Sequence, residues 1–305
     1  HLDDMLVSSI AMKDEQTFLM ATPYSILRIA FNGTDYIYDD LETTEMSFDN
    51  LTYDSFINNR INKLYVDRKN KVVWLGTFGK GLLKSNMQDN QVKRILLDKD
   101  IYNVNGVVQD AHGYVWLTTE YHGIWKSNSN QFSSATKFSL WENSKSKGRY
   151  TIYRDRSGSL WIADDEGVVQ WLNPLSNHRV EFRPKYDGEH SIGIINKIYH
   201  CIHNRLWLVS EKGLFIYDYQ TDKCLASMPY NDTIQKVTSL YEDGDGIMWL
   251  GTNNGVKSAK VKDNNIELAH GQEEQFGISR GEVLVVYVNR HNQLYISYAD
   301  KIVQT

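Results

Sequence analysis

The chain has 305 residues, of which 41% are hydrophobic, 12% aromatic and 23% charged, the composition of a globular protein rather than a disordered or fibrous one. A net charge of −5 gives no basic face for nucleic acid. With no apolar run near the ~18 residues that a membrane helix needs, nothing in the chain reads as a membrane span or membrane contact.

The first residues, HLDDMLVSS, lack the basic-then-apolar design of a signal peptide. They run straight into the first copy of a repeated pattern, TFLMATPYSILR, in which Phe18 holds the anchor position. Five stronger copies follow: VVWLGTFGKGLLK, YVWLTTEYHGIWK, SLWIADDEGVVQW, RLWLVSEKGLFIY and IMWLGTNNGVKSA. Their anchors are Trp74, Trp116, Trp161, Trp207 and Trp249, at intervals of 42, 45, 46 and 42 residues. A last weak copy, QLYISYADKIVQ, has Tyr295 as its ring. The interval from Phe18 to Trp74 is 56; its excess falls in DYIYDDLETTEMSFDNLTYDSF, read as an extended outer hairpin or a partner-facing loop.

Each copy carries the same neighbours. Upstream is an apolar pair three residues apart: Ile61/Leu64, Val104/Val107, Ile195/Ile198, Val237/Leu240 and Val283/Val286, read as a first strand. Three copies then show Asp-x-x-Gly-x-x-Trp, at Asp110/Gly113/Trp116, Asp155/Gly158/Trp161 and Asp243/Gly246/Trp249. An Asp with Gly three residues on suits a type I turn closed by a left-handed residue, a common hairpin connection. Asn204 and Asn292 stand where Gly is missing, and Asn tolerates positive φ best after Gly. The anchor lies in a run of consecutive apolar residues, as expected of a strand covered on both faces. After it come a turn former, usually Gly, and a third strand, then a variable fourth.

Four antiparallel strands every 42 to 46 residues is the pattern of a propeller blade. The expectation is an all-β chain, residues 1–305 forming a single seven-bladed β-propeller with blades anchored at Phe18, Trp74, Trp116, Trp161, Trp207, Trp249 and Tyr295. Repeat seven has room for only three strands, so its blade is either three-stranded or completed by residues outside this chain. A chain that starts and stops with so little slack is expected to be an excised piece of a longer protein.

Cysteines do not decide a redox compartment. Phase puts Cys201 on an inner strand and Cys224 near the outer one, three spacings or roughly 14 Å apart, beyond the roughly 7 Å at which a disulfide closes. Both are expected to be free thiols.

These residues bear on several chemistries. The Asp-x-x-Gly-x-x-Trp turn is superficially like the aspartate box of sialidases, but that box has one residue between Asp and Gly, and Arg149, Arg183 and Arg280 follow no carboxylate-binding motif. A hairpin turn is the simpler reading. His200-Cys201-x-His203 has metal-ligand residue types, yet strand positions three apart face opposite sides, so no metal site is assigned. Gly76-x-x-Gly79-x-Gly81 lacks the Lys-Ser/Thr ending of a phosphate loop. No catalytic residues and no cofactor are expected.

What remains is a binding face. The loops joining strands two and three, and the loops entering each blade, share one rim. The first set brings Tyr24, Phe78, Lys80, Tyr121, His122, Asp165, Glu166, Glu211, Lys212, Asn253 and Asn254; the second brings Tyr102, Trp141, Arg149, Tyr186, His190, Tyr230 and Arg280. Rings beside amides, carboxylates and arginines suit sugars, by stacking and hydrogen bonding. The candidate ligand-binding set is Tyr24, Phe78, Tyr102, Tyr121, His122, Trp141, Arg149, Asp165, Glu166, Tyr186, His190, Tyr230 and Arg280.

The repeat resembles the two-component regulator propeller repeat, with YEDGDGIMWLGTNNGV and VQDAHGYVWLTTEYHGI as its nearest copies. In that family, periplasmic sensors of hybrid two-component systems in Bacteroides-type bacteria, two seven-bladed propellers and a β-sandwich precede a membrane helix, a histidine kinase and a response regulator. The resemblance implies a non-enzymatic sensing propeller, in the periplasm as part of an inner-membrane-anchored protein, that detects an oligosaccharide. It also implies as partners a second propeller and a β-sandwich of the same parent, and a homodimer through that parent. A protein-interaction propeller without a small ligand and a glycan-active enzyme stay open beside it.

Overall fold

The computed structural model describes residues 8–14, 17–22, 26–31, 36–40, 61–87, 92–95, 97, 101–128, 132, 134–138, 148–232, 234–262, 265–269, 281–288, 293–298 and 302–304. Every regular element among them is a strand. Two compact units are present, Leu6–Gly158 and Ser159–Thr305 with His1–Met5.

In the first unit, Ser9–Met12, Thr17–Ala21, Ile26–Phe31 and Tyr36–Asp40 make one antiparallel meander, and Ile61–Asp67, Val72–Thr77, Leu82–Asn86 and Val92–Ile95 a second. A third is built from Val104–Gln109, Val115–Thr119, Ile124–Ser127 and Ala135–Phe138, and the strand Tyr150–Arg154 follows it. In the second unit, Leu160–Asp164, Val169–Leu172 and Arg179–Phe182 pair in order. Next come Ile195–His200, Leu206–Ser210, Gly213–Asp218 and Lys223–Pro229, then Val237–Glu242, Met248–Thr252, Gly255–Lys262 and Asn265–Ala269. Three described strands, Val283–Val288, Leu294–Tyr298 and Ile302–Gln304, close the series. A parallel bridge from Ser227 to Asn265 joins the outer strands of the two preceding sheets into one of eight strands. The stretch read as an extended outer hairpin or a partner-facing loop lies outside the described residues beyond Asp40.

The second strand of each sheet is the buried one. Val72–Thr77, Val115–Thr119, Leu160–Asp164, Leu206–Ser210, Met248–Thr252 and Leu294–Tyr298 are buried at every position, as consecutive apolar residues require. All seven anchors are buried, from 1% exposure for Trp74, Trp116 and Trp161 to 8% for Tyr295. Period-two geometry assigns the two faces: Val73 and Leu75 pack with Leu19, Ile26, Ile61 and Leu64 on the side of the preceding sheet. Trp74 and Val72 pack with Val104, Val107, Leu117 and Phe132 of the following one. Each blade thus buries one face forward and one back.

The apolar pair three apart looks wrong for a strand, whose alternation would put the two on opposite faces. The register resolves it. Ile61 pairs with Thr77 but Lys63 with Gly76, so Asn62 is an extra residue; Asn105, Asn196, Thr238 and Leu284 are skipped in the same way. A β-bulge at the same place in five blades resets the phase and returns both apolar residues to one side. The bulged side chain also ties blades together: Asn62 Nδ2 donates to the Val104 carbonyl at 3.2 Å, and the Thr238 hydroxyl donates to the Val283 carbonyl.

The Asp of Asp-x-x-Gly-x-x-Trp folds its own turn. Asp110 Oδ1 accepts from the N–H groups of His112 and Tyr114 at 2.9 and 3.0 Å, and Oδ2 accepts from Trp116 Nε1 at 2.8 Å. Asp243 does the same for Asp245, Ile247 and Trp249, at 3.0, 2.9 and 2.8 Å. Gly113, Gly158 and Gly246 each close the turn by donating to the carbonyl of that Asp, and Asn204 takes φ 55° in the place of Gly. The carboxylates are therefore spent on the fold.

Cys201 and Cys224 are free thiols. Cys201 lies not on the inner strand but at the first position of the turn after Ile195–His200, where other blades have Asp, and its N–H donates to the Arg205 carbonyl at 3.0 Å. Burial pushes its thiol up from the ordinary value.

Gly167 has φ +79°, and a Cβ there would meet the Gly193 carbonyl oxygen at 2.6 Å. Gly188 has φ +85° with open space around it. Gly167→Ala is expected to cost about 1–3 kcal/mol, and Gly188→Ala to fall at the lower end, since it adds backbone strain without a collision. Chemical denaturation of the two variants separates those contributions; equal midpoint shifts would contradict the close approach at Gly167.

Candidate ligand-binding rim

The loops after the second strands are shaped by one residue each. Thr77 Oγ1 donates to the Gly81 carbonyl at 2.8 Å, Thr119 Oγ1 to that of Gly123 at 2.7 Å, and Thr252 Oγ1 to that of Gly255 at 2.8 Å. In the fourth repeat Asp164 replaces Thr, and its Oδ1 accepts from Glu166 and Val168 N–H at 2.9 Å each. Burial raises the Asp164 carboxyl above the usual carboxylate range, against those two hydrogen bonds.

In unit Leu6–Gly158 these loops are bonded to the next blade's entry loop. Gly79 N–H donates to Asn103 Oδ1 at 2.9 Å, and Gly81 N–H to the Tyr102 carbonyl at 2.6 Å. Asn103 Nδ2 donates to Glu120 Oε2 at 2.8 Å, and Tyr121 N–H to the Gly148 carbonyl at 3.2 Å. This chain of contacts brings Phe78, Tyr102, Tyr121, His122 and Arg149 onto one rim. Tyr102 is 47% exposed with the Arg94 guanidinium 5.6 Å from its ring centre, and Tyr121 is 70% exposed. Tyr121 also takes φ 66°, a strained state for a bulky residue. Gly148 permits the close approach, because a Cβ at that position would lie 2.6 Å from the Tyr121 Cα, and its carbonyl accepts the Tyr121 N–H. His122 is tied back by Nδ1, 2.9 Å from the Glu120 carbonyl oxygen.

In the second unit Asp165 and Glu166 sit on the corresponding loop, beside the entry loop that carries Tyr186 and His190. Lys212 Nζ donates to the Ser191 carbonyl at 2.9 Å and lies 6.0 Å from the Tyr186 ring centre. Tyr186 stacks on His190 at 5.8 Å between centroids. His190 Nδ1 is 2.6 Å from Asp187 Oδ2, and Asp187, accepting from the N–H groups of His190 and Glu189, has its carboxyl held below the usual range. Tyr230 N–H donates to the Lys212 carbonyl at 3.2 Å, and the Tyr230 hydroxyl accepts from Val237 N–H at 3.3 Å, so this ring braces the rim. Tyr24, Trp141 and Arg280 lie outside the described residues.

Sequence reasoning passed over the polar residues that align these loops. Asn103 is one; Asn253 is its counterpart, accepting from Gln235 and Lys236 N–H at 2.9 and 3.1 Å. His200, weighed as a metal ligand, packs its ring 5.5 Å from that of Trp161, with Nε2 3.3 Å from the Tyr219 hydroxyl, while His203 lies in the following turn.

Residues 233–254 match the family model described as Two component regulator propeller. The chain carries a two component regulator propeller repeat. It is also 27% identical over 277 residues to Histidine kinase P4 of Formosa agariphila, across 86% of this chain and 19% of the kinase. Among solved structures, the extracellular domain of a hybrid two component system from B. thetaiotaomicron superposes over 98% of this chain and 39% of that one, with a TM-score of 0.71 at 18% identity. The WD40 β propeller domain of Doa1 superposes over 99% of this chain and 93% of its own, with a TM-score of 0.67 at 9% identity. The fold is a β-propeller. The chain spans about a fifth of the curated relative and about two fifths of the hybrid-system domain.

Proposed function

We propose that this propeller is the extracytoplasmic sensing module of a hybrid two-component histidine kinase, on the periplasmic side of the inner membrane. It binds an oligosaccharide on the rim described above without turning it over. The family repeat, the kinase relative and the likeness to an extracellular domain support the coarse reading. The rim reading rests on one observation: Tyr121 is 70% exposed at φ 66°, with its N–H bonded to the carbonyl of a glycine of the next blade. An exposed ring on a backbone anchored in that way offers a stacking face to a sugar. The carboxylates of the repeated turns are committed to backbone and indole N–H groups, which supports binding rather than hydrolysis.

The test is a glycan panel on the full sensor region, comparing the parent with Tyr121→Ala, Phe78→Ala and Trp141→Ala. Tyr121→Ala is expected to weaken the recognised oligosaccharide by about tenfold, the scale of a stacking contact. A ligand whose affinity ignores all three changes removes the rim assignment, and accumulating product removes the non-enzyme reading.

A further inference from the structure

The opposite ends of the strands carry a second recess, within unit Leu6–Gly158. It is a cleft of about 240 Å³ lined by Tyr65, Lys69, Asn70, Gln109, the turn Asp110–Gly113 and Arg154. Comparing equivalent positions around the repeat explains why it is open. In two blades the residue just before the turn aspartate reaches back to the turn of the preceding blade. In one blade this is Gln109, whose Nε2 donates to Asp67 Oδ2 at 2.7 Å. In another it is Glu242, only 3% exposed, whose carboxylate accepts from Ile202 N–H at 3.0 and 3.2 Å.

In the blade that follows the Asp110 turn, the same position is Arg154. Ala111 stands where Ile202 stands, so its N–H points at the place where a carboxylate would be, and the sequence supplies a guanidinium instead. A donor faces a donor. Among the described residues Ala111 N–H has no acceptor, and the side chains of Arg154 and Lys69 make no hydrogen bond or ion pair. The carboxylates nearby are already engaged, Asp110 by two backbone N–H groups and the Trp116 indole, Asp67 by Asn70 and Gln109. The Arg154 charge is felt inside the cleft: burial raises the Tyr65 phenol, and Arg154 works against that rise.

We propose that this cleft is a binding site for a small oxyanion, a carboxylate or a sulfate, that bridges Ala111 N–H, Arg154 and Lys69 in the role that Glu242 plays in its own blade. The amides of Asn70 and Gln109 line the rest of the cleft. The site is independent of the oligosaccharide rim, which shares none of these residues.

The 305-residue chain would be titrated at low ionic strength with sodium glucuronate, with sodium sulfate and with glucose, following the Ala111 amide resonance and the heat of binding. Glucuronate, sulfate or both are expected to shift the Ala111 amide and glucose is not; which of the two binds identifies the source of the oxyanion. Arg154→Gln is expected to weaken binding by about tenfold or more, since a charged hydrogen-bonding partner is lost. Arg154→Glu, which restores the internal acceptor, is expected to abolish binding while leaving the thermal midpoint unchanged or higher. No shift with either anion at millimolar concentration, or anion affinity unaltered in Arg154→Glu, would overturn the proposal.

Discussion

Trp116→Ala is expected to lower the unfolding free energy by about 3–5 kcal/mol, the range for emptying a buried aromatic site. Trp116 is 1% exposed, its ring meets Phe138 edge-on at 4.8 Å between centroids, the Lys126 ammonium lies 4.9 Å from its centre, and its N–H is held by Asp110. A loss of that size is a large share of the ~5–15 kcal/mol that stabilises a typical domain. Phenylalanine at the same place separates ring from hydrogen bond. Trp74 is equally buried, but among the described residues its indole N–H has no partner: in that repeat the turn aspartate, Asp67, stands seven residues before the ring rather than six, and its Oδ2 accepts from Asn70 and Gln109. Trp74→Phe should therefore cost less than Trp116→Phe. Denaturant midpoints at unchanged m-values report both comparisons; a Trp116→Ala midpoint within error of the parent would show that the ring is not the packing anchor described here.

Asp243→Ala is expected to cost about 3 kcal/mol. Three donors lose their acceptor at once, the N–H groups of Asp245 and Ile247 and the Trp249 indole, and each buried donor left unpaired costs about 1–3 kcal/mol where water cannot replace the lost acceptor. Trp249 is 7% exposed, so its indole is the donor least able to recover. Asp243→Asn keeps one oxygen for the backbone pair but turns an amide N–H toward the indole, and should fall between parent and alanine. The reading is a midpoint shift together with faster exchange of the Asp245 and Ile247 amides. An alanine variant as stable as the parent would show that the turn holds its shape without the carboxylate.

The strand order, the buried second strand and the free cysteines were legible in the sequence, because each follows from a local rule of spacing and apolar run length. The turn aspartate was legible as a turn former but not as the partner of its own tryptophan, although the constant spacing of six from Asp110 to Trp116 and from Asp243 to Trp249 carried that information. The bulge was hidden in plain view: an apolar pair three apart falls on one face only if a residue between is extra, and the polar Asn62, Asn105 and Asn196 mark it. Repeated tyrosines after the pair, at Tyr65, Tyr199, Tyr241 and Tyr287, were also passed over; the Tyr199 hydroxyl accepts from Glu242 N–H at 3.3 Å, and Tyr241 meets Tyr287 at 4.9 Å between centroids. On the rim, phase alone placed Phe78, Tyr102, Tyr121 and Tyr186 on loops, but not the strain at Tyr121, which depends on a glycine 27 residues further along the chain. The proposed oxyanion cleft was invisible for a different reason: it is read from comparing Arg154 with Glu242 at the equivalent position, and only the contacts of Glu242 reveal what a carboxylate does there.

The outermost strand of a blade normally leaves a row of amide and carbonyl groups facing water, a standing invitation to another chain. The bridge from Ser227 to Asn265 spends one such pairing inside the molecule, because Lys223–Pro229 and Asn265–Ala269 run side by side there. Two consecutive blades in this way shield each other's margins from intermolecular strand addition. The same tie couples their fates under load, since neither margin can peel away without breaking the bond to its neighbour.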